Sequence, residues 1–199
     1  MSGIIAQNSG RHTGLVKASS GGGVWNLILT QTASASATID FTSDIDDTYD
    51  EYVFKFINIH PATDNVKFTV NFRDGGSAYD ATKTSTYFRA RHDESGSVTG
   101  LGYDGGEDLA QGTGVHTLCA STGNDNDQCL AGTLRLFNPS STTFVKHFIA
   151  DMSDYRQNDY NAREMTAGYC NVTAAIDGVQ FAMSSDEIDA GQISLYGIS

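Results

Sequence analysis

The chain has 199 residues, enough for one domain with a sizeable core. Its 24 acidic and 12 basic residues give a formal net charge of −12, which repels phosphate backbones and anionic lipid headgroups. The sequence therefore predicts no nucleic-acid partner and no membrane partner. Ten Phe and nine Tyr supply core material and exclude a disordered chain.

The first part of the chain, residues 1–23, is polar and glycine-rich and ends in SSGGG. We expect an extended N-terminal arm here, followed by one β domain over residues 24–199. The only apolar run near the start is Ile4, Ile5 and Ala6, which is too short for the core of an export signal. The expected site of synthesis is therefore a cytoplasm.

The most regular pattern lies between Thr48 and Phe72, where two apolar runs alternate with a period of two. Aromatic residues occupy one face of each run, which is typical of half-buried strands and not of helices. Between the runs, Pro61, Asp64 and Asn65 favour a turn. The sequence predicts an antiparallel pair of strands here, in the middle of a sheet.

Similar short runs recur on both sides of this pair, separated by Gly, Asn, Asp and Ser turns. No segment keeps a period of 3.6 residues over three helical turns. The other predicted strands are 24–30, 38–41, 85–91, 114–119, 132–137, 144–150, 168–175, 179–183 and 191–198. Residues 92–114 are predicted to form a long loop, and residues 156–165 a loop or a single helical turn.

About ten short strands without a helix predict an all-β fold, a single antiparallel β-sandwich of jelly-roll type. A lectin-like sandwich with another topology is the alternative. The residues expected in its core are Tyr52, Phe54, Phe56, Phe68, Val70, Phe72, Leu134, Leu136, Phe181 and Leu195.

The densest acidic stretch, TSDIDDTYDE, precedes the first strand of the central pair. Hard cations such as calcium are bound by several carboxylate oxygens that converge in a bent loop. The residues predicted to bind calcium are Asp44, Asp46, Asp47 and Asp50. A solvated turn, in which Asp side chains accept hydrogen bonds from nearby backbone amides, is the alternative.

No spacing among the five histidines and three cysteines matches a zinc motif. Cys119 and Cys129 flank a polar loop that a disulfide would close in an oxidising compartment. In a reducing cytoplasm, these two cysteines and Cys170 are expected to be free thiols that act as small core residues.

Neither a nucleophile elbow nor a phosphate-binding loop is present in the sequence. The sequence therefore predicts a protein that is not an enzyme and has no cofactor apart from the calcium considered above.

Four tyrosines lie in predicted loops. β-Sandwich lectins bind sugars with loop Asp and Asn residues and a stacking aromatic ring, and exposed tyrosines are also common at protein–protein contacts. The sequence leaves both uses open for these residues, which are Tyr79, Tyr103, Tyr155 and Tyr160.

Three segments carry a family likeness. They are SGIIAQNSGRHTGLVKA at the start, DFTSDIDDTYDEYVFKFINIHPATDNVKFTVNF followed by DGGSAYD in the centre, and GQISLYGI at the end. Together they resemble uncharacterised virion structural proteins of tailed bacteriophages, especially marine ones. The resemblance runs the length of the chain and implies a β-rich component of the virion surface that is assembled in the host cytoplasm.

What the resemblance implies is a structural protein that binds other virion subunits. We expect a head decoration (cement) protein or a knob protein, attached to a phage capsid or tail protein and forming a homo-oligomer, with a trimer favoured. The alternative is a tail-tip or fibre module that recognises a host glycan. The absence of a coiled-coil heptad favours decoration over an elongated fibre.

Overall fold

A computed structural model describes residues 23–199, so the predicted N-terminal arm lies, except for Gly23, outside the described residues. The strands of this range are β1 (Trp25–Ser36), β2 (Ile39–Phe41), β3 (Glu51–Pro61), β4 (Val66–Arg73), β5 (Lys83–Asp93), β6 (Thr99–Tyr103), β7 (His116–Thr122), β8 (Leu130–Phe137), β9 (Lys146–Arg156), β10 (Tyr160–Cys170), β11 (Gly178–Met183) and β12 (Ile188–Ile198). All twelve belong to one antiparallel sheet. No helix able to cross a membrane occurs within these residues. The prediction of an all-β antiparallel fold is confirmed.

The strands pair in a nested order. β1 pairs with β12, β2 with β11, β3 with β8, and β4 with β7. Two further ladders join these pairs side by side, one between β12 and β3 and the other between β11 and β4. One part of the sheet therefore has the order β1-β12-β3-β8, and another has the order β7-β4-β11-β2. We call these parts layer one and layer two.

Layer one continues beyond β8 through β9, β10, β5 and β6, which we call the extension. The backbone ladder between the extension and layer two consists of a single residue pair, Thr122 of β7 and Arg156 of β9. At the opposite end, Gln31 Nε2 of β1 donates a 2.7 Å hydrogen bond to the carbonyl of Asp40 in β2. The sheet therefore nearly closes on itself.

Aromatic side chains fill the space between the two layers. The ring of Phe181 in β11 lies 5.2 Å from that of Phe54 and 5.1 Å from that of Phe56 in β3, measured between centroids. Phe68 of β4 lies 5.3 Å from Phe56 in the same way. All ten residues predicted for the core are at most 1% exposed, so this prediction is confirmed.

The predicted pairing of the two central strands is wrong. β3 pairs with β12 and β8, whereas β4 pairs with β11 and β7. The turn after Pro61 carries the chain from layer one to layer two, so the two strands face each other through aromatic side chains. Alternation shows which face of each strand is buried, but it does not show which backbone lies beside that strand.

Two segments predicted as loops contain strands. β9 ends at Arg156 and β10 begins at Tyr160, so residues 156–165 form the end of a hairpin and not a helical turn. β6 lies within the predicted loop 92–114 and pairs with β5. Neither strand has a continuous buried apolar face, because Glu164 and Thr166 point inward in β10 and every residue of β6 is exposed.

Candidate functional site

The edge strand β6 lacks the usual protection against pairing with another chain. Its five residues, TGLGY, are all exposed and include neither a charged residue nor a proline. In the described part of the chain, β6 forms a ladder with β5 only. Charges, prolines and bulges are the features that keep natural edge strands from pairing with other proteins. Among residues 23–199, no strand therefore lies beside the second backbone edge of β6.

The outer face of the extension is apolar next to this edge. Leu101 and Tyr103 of β6 are 76% and 59% exposed, and Phe88, which lies opposite Tyr103 in the ladder, is 38% exposed. Farther along the same face, a groove of about 360 Å³ crosses β5, β10 and β9 between Tyr169 and Ile149. Exposed apolar surface beside an open edge is typical of an interaction site.

The opposite edge of layer one is β1, and it is also apolar. Val24 and Leu27 are each more than half exposed, and Trp25 and Leu29 are about 40% exposed. The ring of Trp25 packs edge-on against Tyr196 of β12, with 5.3 Å between the centroids. Layer one and its extension therefore expose apolar side chains at both ends.

A polar depression lies on the other face of the β5–β6 hairpin. Gly100 and Gly102 pair with Arg91 and Arg89 in the ladder. Because the two glycines have no side chains, a space of about 190 Å³ remains beside the arginines. Tyr103 at its rim donates a hydrogen bond to Asp108, and this bond raises the pKa of Tyr103. The depression offers charged donors beside an exposed aromatic ring.

The interior beneath the extension is polar, in contrast to the aromatic space between the layers. Ser85 Oγ lies 3.1 Å from His116 Nδ1, and His116 Nε2 lies 2.5 Å from Thr166 Oγ1. Because Thr166 donates its own hydroxyl proton to the carbonyl of Thr86, it accepts from Nε2, which must carry the imidazole proton. Burial, with a smaller effect from the charge of Lys83, lowers the pKa of His116 to about 4.

Two lysines are fully buried in the same interior. Lys83 Nζ donates hydrogen bonds to Asn71 Oδ1 over 2.6 Å and to the carbonyl of Ala81 over 2.7 Å. Lys146 Nζ donates to the carbonyl of Val172 over 2.9 Å. Burial lowers the pKa of Lys83 to about 8 and also lowers that of Lys146. Each ammonium is held by oxygen acceptors and not by a carboxylate.

An ionisable cluster lies where β7 meets the extension. Cys119 of β7, Asp154 of β9 and Glu164 of β10 are buried, and one ligand atom of each lies within 4.8 Å of the other two. Arg156 Nε lies 3.5 Å from Asp154 Oδ2, and its Nη2 lies 3.7 Å from Glu164 Oε1. Burial raises the pKa of Asp154 to about 7, helped by the neighbouring Glu164 and opposed by Arg156. Burial also raises the pKa of Glu164.

This cluster is short of hydrogen-bond partners. Five buried side-chain atoms in it have none, namely Tyr87 Oη, Thr122 Oγ1, both carboxylate oxygens of Asp154 and Arg156 Nε. Only two other such atoms occur among residues 23–199. An unpartnered polar group in a protein interior costs free energy, so their concentration at one place calls for a physical cause.

The residues predicted to bind calcium form an exposed turn. Asp46 Oδ1 accepts hydrogen bonds from the amide of Thr48 over 2.8 Å and from the hydroxyl of Tyr52 over 3.0 Å. Hydrogen bonding to the side chain and the amide of Thr48, with a smaller effect from Tyr52, lowers the pKa of Asp46. The other predicted ligands, Asp44, Asp47 and Asp50, are exposed.

These carboxylates do not converge as a set of three ligands. Within residues 23–199 the one set of three His, Cys, Asp or Glu ligand atoms that meets the 4.8 Å criterion is that of Cys119, Asp154 and Glu164. Calcium binding by the acidic turn stays a prediction. All three cysteines are free, and Cys119 and Cys170 are buried.

The ionisable cluster was not predicted because residues 156–165, which include Glu164, were expected to form a loop or a single helical turn. The available signal was the period of two in β9, where Asp154 and Arg156 follow Phe148, Ala150 and Met152 on the inward face. Charged residues that continue an apolar alternation indicate a strand whose buried face becomes polar.

No family model and no curated protein matches the chain. The geometry itself offers an open strand edge flanked by apolar side chains, a polar depression on that hairpin, and a buried ionisable cluster below the extension. Ser85 and His116 are hydrogen-bonded but buried, so their contact serves to fix the imidazole between β5 and β10.

Proposed function

We propose that this protein is a non-enzymatic structural component that assembles with copies of itself on the surface of a phage virion. The open edge of β6, with every residue exposed and no charge or proline, is the observation that carries the proposal. The resemblance of the opening, central and closing segments of the chain to virion structural proteins of tailed phages supplies the setting. A head decoration or knob protein that binds a capsid or tail protein fits both the open edge and this resemblance.

The proposal includes a jelly-roll sandwich. When the extension is set aside, eight strands remain, and they pair first with eighth, second with seventh, third with sixth and fourth with fifth. A long hairpin that is rolled up has this nesting, which supports the jelly-roll architecture found in viral capsid proteins and lectins. The extension then consists of two insertions, β5–β6 and β9–β10.

The proposed contact joins β6 of one subunit to the first half of β1, Trp25–Thr30, in the next. These strands are opposite edges of the same continuous run of strands, so their pairing would extend the sheet from subunit to subunit. Backbone hydrogen bonds would supply affinity, and Leu101 and Tyr103 would cover Trp25 and Leu27. A head-to-tail contact of this kind closes into a ring when its rotation allows, and a trimer is the ring we favour.

The contact need not be strong to hold the protein on a particle. When many copies are attached to one lattice, avidity exceeds a single affinity by about 10²–10⁴. A decoration protein can therefore combine weak contacts between its own copies with weak contacts to the shell or tail protein below.

The test is the oligomeric state of the full chain, measured by light scattering behind a size-exclusion column. Leu101→Lys places a charge on the open edge, and we expect it to convert the oligomer into a monomer with an unchanged circular dichroism spectrum. Phe144→Lys is the control, because Phe144 is 71% exposed but lies outside β1 and the extension. A wild-type chain that is monomeric at every concentration would overturn the self-assembly, and purified virions without the protein would overturn its setting.

A second candidate function is glycan recognition by a tail-tip or fibre module. The depression beside Arg89 and Arg91 supports it, because charged donors next to the ring of Tyr103 suit a sugar's hydroxyl groups and its apolar face. A glycan array probed with the full chain tests this idea. Binding that Tyr103→Ala removes would favour it, whereas an array without signal would exclude it for the sugars present.

A further inference from the structure

The buried ionisable cluster has the composition of a metal site. Cys119, Asp154 and Glu164 come from three different strands, and their ligand atoms lie within 4.8 Å of one another. Independently of that spacing, Asp154 is fully buried and neither of its carboxylate oxygens has a hydrogen bond of good geometry, although Arg156 Nε lies 3.5 Å from Oδ2. We propose that these three residues bind one divalent metal ion, with zinc as the preferred ion.

The donor atoms select the class of metal. A thiolate sulfur favours soft or borderline ions, whereas two carboxylate oxygens favour harder ones, and zinc accepts both kinds of ligand. Calcium and magnesium take oxygen ligands, so Cys119 argues against them. The hydroxyl groups of Tyr87 and Thr122 lie beside Glu164 and Asp154 in the same cluster, and water would supply the fourth ligand.

The charges of the cluster balance when zinc is bound. Asp154, Glu164 and Arg156 together carry a charge of −1 if both carboxyl groups are ionised, which is unfavourable in an interior. Zinc adds two positive charges, and Cys119 loses its thiol proton to solvent and adds one negative charge, which brings the sum to zero. A single proton on one carboxyl group also gives zero, so the experiment has to separate a metal from a proton.

A metal here would connect parts of the fold that the backbone joins weakly. β7 belongs to layer two, whereas β9 and β10 belong to the extension, and the ladder between β7 and β9 consists of one residue pair. Coordination by Cys119, Asp154 and Glu164 would tie these strands together. Arg156 is the one residue among these four with exposed surface, at 8%, so an ion would enter beside its guanidinium.

The first experiment uses the full chain refolded with excess zinc and then desalted. We expect about one zinc per chain by elemental analysis, and a Tm that falls by about 5–15 °C when a chelator removes the metal. Refolding with cobalt in place of zinc should produce a thiolate-to-cobalt charge-transfer band, which carboxylates alone do not give. A wild-type chain that holds less than about a tenth of an ion after either refolding would overturn the proposal in favour of a bound proton.

Two cysteine variants locate the metal. Cys119→Ser should remove the cobalt charge-transfer band, whereas the matched control Cys170→Ser should retain it, because Cys170 is equally buried but lies outside the cluster. A band that persists in Cys119→Ser places the metal elsewhere and overturns the assignment. The wild-type measurements decide the proposal even where a variant fails to fold. Because the site lies away from β6, its failure would leave the proposed self-assembly untouched.

Discussion

Lys83 Nζ donates a 2.6 Å hydrogen bond to Oδ1 of Asn71, and this contact joins β5 to β4 in the protein interior. Lys83 has no exposed surface and Asn71 is 6% exposed, so the ammonium depends on neutral oxygen acceptors. An isolated charge is far more costly to bury than a neutral polar group, so an ammonium left without its acceptor costs more free energy than an amide left without its donor. Their substitutions should therefore have different consequences.

Removal of Asn71 should destabilise the protein more than removal of Lys83. Asn71→Leu leaves a buried ammonium short of an acceptor, and we expect a loss of about 2–3 kcal/mol in the free energy of unfolding at pH 7. Lys83→Met removes the charge itself and leaves only neutral acceptors, so its cost should be smaller. Urea denaturation of both variants checks the order, and equal costs would show that the ammonium does not depend on Asn71.

The stability of the protein should depend on the charge state of Asp154. Burial raises the pKa of Asp154 from 3.8 to about 7, so between these pH values the folded state holds a proton that the unfolded state lacks. This group therefore lowers the free energy of unfolding as pH rises from about 4 to about 7. Asp154→Asn removes the effect, so the free energy of unfolding of the variant should increase relative to that of the wild type as the pH rises over this range. Urea denaturation at several pH values, with a chelator present, measures the gain.

His116 acts in the opposite direction and supplies the control. Its pKa is lowered from 6.5 to about 4, so in this range the unfolded state binds the additional proton and stability rises with pH. In the wild type the slope of His116 opposes the slopes of Asp154 and of Glu164, whose pKa burial also raises, so removal of Asp154 should make the change of stability with pH more positive. An Asp154→Asn variant whose stability changes with pH between 4 and 6.5 in the same way as that of the wild type would contradict this assignment.

The sequence was sufficient for the core because alternation and residue size determine which side chains are buried. Phe54, Phe68 and Phe181 all lie on the apolar faces expected for them. The order of the strands was not accessible, because the turn after Pro61 carries the chain to the other layer while leaving the alternation of both strands unchanged. A single sequence contains no direct record of such long-range pairing.

The candidate sites were harder to predict for a related reason. Asp154 and Glu164 point inward, at positions where the pattern of period two leads one to expect apolar residues. β6 has two glycines and no apolar alternation with buried residues, so its residues looked like a loop. In both places a tertiary contact, with β7 or with β5, determines the structure of a locally polar segment.

Phe54 should be among the costliest residues to truncate. Its ring packs within 5.2 Å, centroid to centroid, of both Phe41 and Phe181, and it has no exposed surface. Phe54→Ala should lower the free energy of unfolding by about 3–5 kcal/mol, because the cavity it leaves cannot collapse fully. Phe144→Ala, at a residue 71% exposed, should change it by less than about 0.5 kcal/mol. Similar losses in the two variants would contradict the described core.

Two glycines in the strands on either side of β5 should respond differently to a methyl group. A Cβ at Gly168 would lie 2.5 Å from Cζ of Phe148 and 2.7 Å from the carbonyl oxygen of Thr84, whereas a Cβ at Gly102 would meet nothing within 4 Å. Gly168→Ala should therefore cost about 1–3 kcal/mol through overpacking. Gly102→Ala should be neutral or slightly stabilising, because alanine restricts the unfolded chain. Thermal unfolding of both variants tests the packing between β9 and β10.

Deletion of residues 1–20 should separate folding from assembly. All twelve described strands lie between Trp25 and Ile198, so the shortened chain should retain its circular dichroism spectrum and unfold cooperatively. The deleted residues are polar and glycine-rich, and we predict that they contact a neighbouring virion subunit, so the shortened chain should fail to join particles that lack the wild-type protein. Leu101→Lys provides the comparison, because it alters the edge of β6 and keeps the N-terminal segment. If shortened chains occupy particles as fully as wild type, the N-terminal segment is not a contact, and the attachment must be made by surfaces within residues 23–199.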